Sequence, residues 1–260
     1  MSESLTDLLE AASVELRALR RLFGEVGEIA WDRTLDWLVD EYFRLDVLGL
    51  ENVPAEGAAV LVANHSGSWG LDGFVLLKVL TRSLRRPLHI PATPLTFRVP
   101  VLGSYARKKG AFPIDPTLGM EHLNAGELVG VFPEGIAGLE KPLHERYRLR
   151  PFSPGFAVTA VRTGAPVVPV AIVGAEEAYP KLGDVPALAR LFDLPYFPVT
   201  PAFPLPSKWL ITFGEPIPAP ARPSSLAERS AAARTLCADA QAAVQGMLDH
   251  EVGRRDTPFW

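Results

Sequence analysis

The chain has 260 residues, a formal net charge of −4, 48% hydrophobic and 22% charged residues, and one cysteine. That length allows one sizeable core, the charge balance offers no basic platform for nucleic acid, and Cys237 alone excludes a disulfide framework or a thiolate metal site. No stretch approaches the ~18 apolar residues of a spanning helix, and no charged region followed by an apolar core marks a leader, so a cytoplasmic protein that does not cross the membrane is expected.

In chain order, Leu5, Leu8, Leu9, Ala12, Leu16, Leu19, Phe23, Val26 and Ala30 recur at helical spacing opposite Glu10, Arg17, Arg21 and Glu28. This predicts an amphipathic helix over 5–30. A second helical piece, 32–42, adds Leu35, Trp37 and Leu38 beside Trp31 and Phe43. The pair either packs on the core or rests on a membrane surface; its polar face mixes Glu with Arg, which weakens a purely electrostatic attachment. Strands are then expected near 43–50, 58–63, 87–91, 127–132, 166–173 and 208–213, alternating with helices near 70–83, 117–125 and 154–163. Such alternation predicts an α/β fold with a mostly parallel central sheet covered by helices. The run 191–206 is too rich in proline for a helix or central strand yet too apolar for an ordinary loop. It either covers the core, dips into a lipid interface or lines an acyl channel. An Ala-rich C-terminal helix follows over 222–252, started by Pro223, Ser224 and Ser225. The organisation is thus 1–42, a helical membrane-associating segment; 43–221, the α/β core; and 222–260, the C-terminal helix and tail, in a single domain overall.

The apolar run 58–63 leads directly into Asn64-His65-Ser66-Gly67-Ser68-Trp69-Gly70-Leu71-Asp72. This places an imidazole at the carboxyl end of a buried strand, where ligand and catalytic groups of open α/β sheets collect. A second strand ends in Phe132-Pro133-Glu134-Gly135, and a third carries Val167-Val168-Pro169-Val170. In this order and at these separations, over about 43–215, the three motifs resemble the glycerolipid acyltransferase family, whose best-known members are the 1-acylglycerol-3-phosphate acyltransferases. The resemblance implies transfer of a fatty acyl group from acyl-CoA or acyl carrier protein, as co-substrate, to a lipid hydroxyl at the inner face of the membrane, without a bound cofactor. It implies His65 as general base and Asp72 as the group that fixes its tautomer. Glu134 resembles the acceptor-binding carboxylate, with Asn64, Ser66, Phe132, Pro133, Gly135 and Pro169 as further substrate-binding positions.

This chain departs from the family pattern at informative places. Six residues separate His65 from Asp72, a longer spacing than usual. Pro116 and Ile136-Ala137 stand where the family usually carries arginines that bind the acceptor's phosphate, and a guanidinium is hard to replace in bidentate phosphate recognition. A neutral or zwitterionic acceptor is therefore expected. Arg107 and Arg150 are the nearest candidates to replace those ligands, while Lys108, Lys109, Lys141, Arg146 and Arg148 could meet coenzyme A phosphates or head groups. Ser66 and Ser68 leave a lipid esterase or hydrolase as the mechanistic rival, although the Gly-x-Ser-x-Gly elbow is absent; a catalytically silent lipid-binding protein is the third reading. No short metal-binding spacing is present, and no metal is expected.

Overall fold

The computed structural model describes residues 23–99, 101–220 and 225–259. Helix α1 covers residues 23–37 and closes in a π turn, Leu38–Tyr42; the part of the expected amphipathic helix before residue 23, and the start of the C-terminal helix at 222–224, lie outside the described residues. No break separates two helical pieces near residue 31. Trp31 instead packs edge-on against Phe74, with ring centroids 5.8 Å apart, and Asp32, Asp36 and Asp40 form an acidic ladder facing helix α2 (Leu71–Ser83). Lys78 pairs with Asp32 and Asp36, each at 2.9 Å, and Arg82 with Asp40 at 2.9 Å. Burial works against the Asp32 carboxylate, but hydrogen bonds from Tyr105 and Lys78 and the charges of Lys78 and Lys109 prevail and hold its pKa at about 2.

Strands β1 (Asp46–Leu48), β2 (Ala59–Ala63), β3 (Leu88–Ala92), β4 (Ala111–Pro113), β5 (Leu128–Val131), β6 (Val167–Val173) and β9 (Leu210–Phe213) form one seven-stranded sheet in the order β1-β9-β6-β2-β5-β3-β4. All its pairings are parallel except β6 with β9. The all-apolar sequences of β2 and β6 follow from burial on both faces. Leu61, Ala63, Val168, Val170 and Ile172 point to the side of α2 and the π turn. Val60, Val62, Val167, Ala171 and Val173 point to α7 (Gly155–Thr163) and α10 (Leu226–Gly253). The capping box of Ser225 and Glu228 starts α10.

Sequence periodicity missed β4 and the helices α3 (Pro94–Arg98) and α4 (Leu102–Lys108) that precede it. These elements are too short to develop a period, and β4 is an edge strand that tolerates its proline. Helices α5 (Pro116–Asn124), α6 (Ile136–Leu139) and α8 (Ala175–Ala178) follow β4, β5 and β6 respectively. The proline-rich run forms the end of α9 (Pro186–Leu191) and then β8 (Pro198–Val199), which pairs antiparallel with β7 (Gly183–Asp184) outside the main sheet. It covers part of the core: Phe203 packs on Trp37 and Tyr42, and the Tyr42 hydroxyl donates to the Pro204 carbonyl at 2.7 Å. Leu191 and Phe192 nonetheless remain exposed.

Candidate active site

The site is built where β2, β5 and β6 end. The β2–β5 register pairs Val62 with Val131; continued beyond the strands it sets Glu134 beside His65. Accordingly, Glu134 Oε1 accepts the His65 backbone N–H at 2.9 Å. On the other side of β2 the backbone ladder to β6 stops at Ala63, and the Asn64 side chain continues it. Its Nδ2 donates to the Ile172 carbonyl at 2.9 Å and its Oδ1 accepts the Ile172 N–H at 2.8 Å. Asn64 is fully buried, so its amide splints the sheet edge and does not reach a substrate.

His65 Nδ1 lies 2.9 Å from Asp72 Oδ2. The six intervening residues turn back because Gly67 and Gly70 both adopt left-handed backbone conformations, at φ +76° and +67°, which a side chain would resist. Asp72 sits in the first turn of α2, where the helix dipole favours a carboxylate. It also accepts the Ser66 N–H at 2.7 Å and the Gly73 N–H at 2.9 Å while wholly buried. Phe132 stacks on the imidazole, centroids 4.4 Å apart. With Nδ1 committed to Asp72, Nε2 is the nitrogen left to exchange a proton. Gly70 keeps space beside it: a Cβ there would stand 3.9 Å from Nε2.

Glu134 is a brace. Its second oxygen accepts the Arg150 N–H at 2.7 Å, and Lys141 Nζ lies 3.3 Å from it and 2.9 Å from Glu176 Oε1. The Glu134 side chain has no exposed surface and that of Lys141 only 1%. As placed, Glu134 and Lys141 spend their polar atoms on the protein and not on the surface that a lipid hydroxyl or a phosphate would meet. Burial pushes the Glu176 carboxyl up to about 7, against the lowering pull of Lys141.

Other expected positions scatter. Ser66 is fully buried beside Asn64, and Ser68 Oγ donates to the Tyr179 carbonyl at 3.1 Å. Pro133 offers its carbonyl to Ser153 N–H at 2.9 Å, and Gly135, at φ +58°, turns the chain into α6. Arg107 lies on α4 with its guanidinium over Phe97, outside the His65 network. Arg150 contributes its backbone to Glu134 while its side chain pairs with Glu145 at 2.5 Å. Pro169 faces the other side of the sheet, in a groove of about 600 Å³ lined also by Thr212, Gly214, Ala243, Gly246 and Met247. Two residues have roles that the sequence does not announce. Lys141 reads as a cation for coenzyme A phosphates or head groups and not as a buried partner of Glu134 and Glu176, and Gly138 carries no charge or hydroxyl to mark it. Yet a Cβ at Gly138 would stand 2.8 Å from the His65 carbonyl oxygen and 2.9 Å from both His65 and Glu134 Cβ atoms. Its one signal was a place three residues after Gly135, in the motif's continuation.

Comparison with known proteins agrees with this geometry: the profile of the acyltransferase family matches residues 44–173, half of the chain, and includes the His65, Asp72 and Glu134 motifs. The chain belongs to the acyltransferase family. An uncharacterized protein of Mycobacterium tuberculosis is 47% identical over 195 residues, a match covering 70% of this chain and 54% of that protein. The chain thus spans about half the length of its mycobacterial relatives. A 1-acyl-sn-glycerol-3-phosphate acyltransferase of Pseudomonas aeruginosa is 33% identical over 162 residues, covering 59% of each chain. The crystal structure of PlsC, the 1-acyl-sn-glycerophosphate acyltransferase of Thermotoga maritima, superposes with a TM-score of 0.60 at 21% identity, over 96% of this chain and 90% of that one. The chain therefore shares that fold, including the mostly parallel sheet and its flanking N- and C-terminal helices.

Proposed function

We propose that this acyltransferase moves a fatty acyl group from the thioester of acyl-CoA or acyl carrier protein to the hydroxyl of a glycerolipid. The observation that carries the reading is the His65–Asp72 pair at 2.9 Å, with Nε2 left to act at the carboxyl edge of the sheet. The Pseudomonas relative supports a glycerolipid acceptor. In the proposed reaction His65 Nε2 takes the proton of the acceptor hydroxyl as its oxygen attacks the thioester carbonyl. The tetrahedral intermediate then expels the thiolate, which recovers the proton from the imidazolium; Asp72 holds the ring and offsets its charge. A serine-based hydrolase has no support in the geometry, since Ser66 is buried and Ser68 is committed to Tyr179.

For the acceptor we favour a neutral or zwitterionic lipid. Pro116 begins α5 beside the capping Asp115 carboxylate, and Ile136 and Ala137 open α6 next to Glu134. Apolar side chains thus occupy both places where a phosphate-binding guanidinium would be needed, at a loss of roughly 1.5–3 kcal/mol per charge-assisted bond. The protein would meet this lipid from the membrane surface, with Phe23, Val26 and Ile29 of α1 and Leu191 and Phe192 as exposed apolar groups. No helix among the described residues is long and apolar enough to cross a membrane. The test is steady-state kinetics of purified protein with acyl-CoA and, side by side, lysophosphatidic acid, lysophosphatidylcholine and diacylglycerol. Acylated product should exceed released fatty acid, with the lowest kcat/KM for lysophosphatidic acid. A preference for lysophosphatidic acid refutes the acceptor assignment; fatty acid as the main product refutes acyl transfer.

A further inference from the structure

At the opposite end of the sheet from His65, three donor-bearing side chains converge from separate elements. His89 is the second residue of β3, His122 lies in α5, and Glu127 immediately precedes β5. Their ligand atoms, one from each residue, all lie within 4.8 Å of one another. Glu127 Oε2 is 3.2 Å from His89 Nε2 and 2.7 Å from His122 Nδ1. The imidazoles stack at 3.8 Å between centroids, and Phe112 packs against His122 at 5.0 Å. Since Glu127 adjoins the Leu128–Ala59 pair and His65 lies six residues beyond Ala59, the cluster is roughly 20 Å from the candidate active site. It takes no part in the acyl-transfer machinery.

The protonation of this cluster does not balance on its own atoms. His89 hydrogen-bonds to the backbone of Gly110, and Nδ1 is the ring atom against that residue, 3.2 Å from where a Gly110 Cβ would stand. A proton held there leaves a lone pair on Nε2, which is buried, lacks an aligned hydrogen bond and faces a carboxylate oxygen at 3.2 Å. Two lone pairs so placed repel unless a proton or a cation lies between them. A metal-ligating histidine commonly donates its other ring N–H to a backbone carbonyl in just this way.

We propose that His89 Nε2, His122 Nδ1 and Glu127 Oε2 form a binding site for a first-row divalent cation, with Zn²⁺ the best fit, that ties α5 to the sheet. Two neutral imidazoles and one carboxylate form a set that suits Zn²⁺ and leaves a fourth position for water. Tetrahedral ligands at Zn²⁺ bond lengths stand roughly 3.4 Å apart. The two imidazoles, stacked at 14° to one another, must turn until both ring planes contain the ion; the His89–Glu127 separation is already close to about 3.4 Å, and His122 and Glu127 need part by about 0.7 Å. Glu127 has 38% of its side chain exposed and is free to make that adjustment. The three ligands come from distant positions in sequence, so no short spacing motif announces them.

The test uses the full-length, untagged protein stripped with a chelator and titrated with Co²⁺ and then Zn²⁺. One equivalent of Co²⁺ should produce the visible absorption of a four-coordinate ion, which Zn²⁺ then bleaches, and Zn²⁺ should raise the melting temperature. His122→Ala and the near-isosteric Glu127→Gln should each lose the Co²⁺ spectrum and weaken Zn²⁺ binding 10-fold or more, with unchanged far-ultraviolet circular dichroism; His65→Ala should bind as wild type. The proposal is overturned if wild-type protein takes up no stoichiometric Co²⁺ or Zn²⁺, if Glu127→Gln and His122→Ala bind like wild type, or if only His65→Ala abolishes binding.

Discussion

Asp72→Asn isolates the charge of the carboxylate from its shape. Asp72 receives three donors: the His65 ring and the Ser66 N–H on one oxygen, and the Gly73 N–H on the other. Asparagine offers one oxygen. Its best rotamer keeps that oxygen on His65 and Ser66 and turns the amide NH₂ against the Gly73 N–H, leaving a buried donor unpaired. Losing one charge-assisted bond in this fully buried position costs roughly 1.5–3 kcal/mol, or a fall of about 3–6 °C in melting temperature for a domain of this size. The catalytic loss is separate. A carboxylate about 4 Å from the charge on an imidazolium stabilises it by ~4 kcal/mol at an effective dielectric of ~20, which corresponds to about three decades in rate. We therefore expect kcat to fall about 10³-fold with little change in KM, and His65→Ala to fall by ~10²–10⁴-fold. Because the two groups act as one unit, the double variant should fall little further than the worse single one. Thiol release from acyl-CoA with the acceptor in mixed micelles, beside thermal melts, reads both effects. If Asp72→Asn keeps kcat within threefold of wild type while its melting temperature falls as expected, the carboxylate serves the fold and not the chemistry.

Three further outcomes follow from the site's surroundings. The Glu176 carboxyl rises from 4.5 to about 7 on folding, so its contribution is complete below about pH 4.5 and is lost as pH climbs through about 7, on the order of 3 kcal/mol. Glu176→Gln should flatten the melting-temperature profile between about pH 5 and 8, and an unchanged slope there would assign it to another group. Gly138→Ala drives a methyl into the His65 carbonyl and the Cβ atoms of His65 and Glu134; it should cost roughly 1–3 kcal/mol and depress turnover about 10²-fold by displacing the His65 turn, whereas wild-type turnover would show that α6 can retreat freely. Liposome flotation should carry wild-type protein upward and leave more of a Leu191→Asp/Phe192→Asp variant behind; failure of wild type to float at low salt counts against surface attachment.

The parts of the fold that were legible in the sequence are those whose burial is uniform. Strands β2, β5 and β6 are apolar runs because each is covered on both faces, and their order determines where His65 and Glu134 meet. The Asp72 position was legible as a motif, but the return of the chain required the left-handed turns at Gly67 and Gly70. What sequence could not display is partnership across distance. Glu134 reads as a carboxylate available to substrate, yet Lys141, His65 N–H and Arg150 N–H consume it. Pro169 lies on the correct strand but alternates to the face opposite Ile172, the residue that Asn64 bonds. Short elements such as β4 fail for a different reason: three residues cannot display a period.

Burial around the site separates its two tasks. His65 is held from three directions: Asn64 pins the preceding residue to β6, Glu134 holds its backbone from β5, and Asp72 holds its ring from α2. Each of those three holding side chains is buried, so any substitution there would leave an orphaned partner inside the protein at roughly 1–3 kcal/mol. Pro116, Ile136 and Ala137, where the resemblance leads one to expect arginine, are exposed and can change without that cost. A rigid base with a replaceable rim lets one reaction accept different hydroxyls, because specificity then depends on side chains that stability does not constrain. On this argument, restoring arginine at residue 137 should raise kcat/KM for lysophosphatidic acid relative to diacylglycerol without altering the melting temperature. If Ala137→Arg leaves that ratio unchanged, the rim does not select the acceptor, and selection belongs to the buried frame.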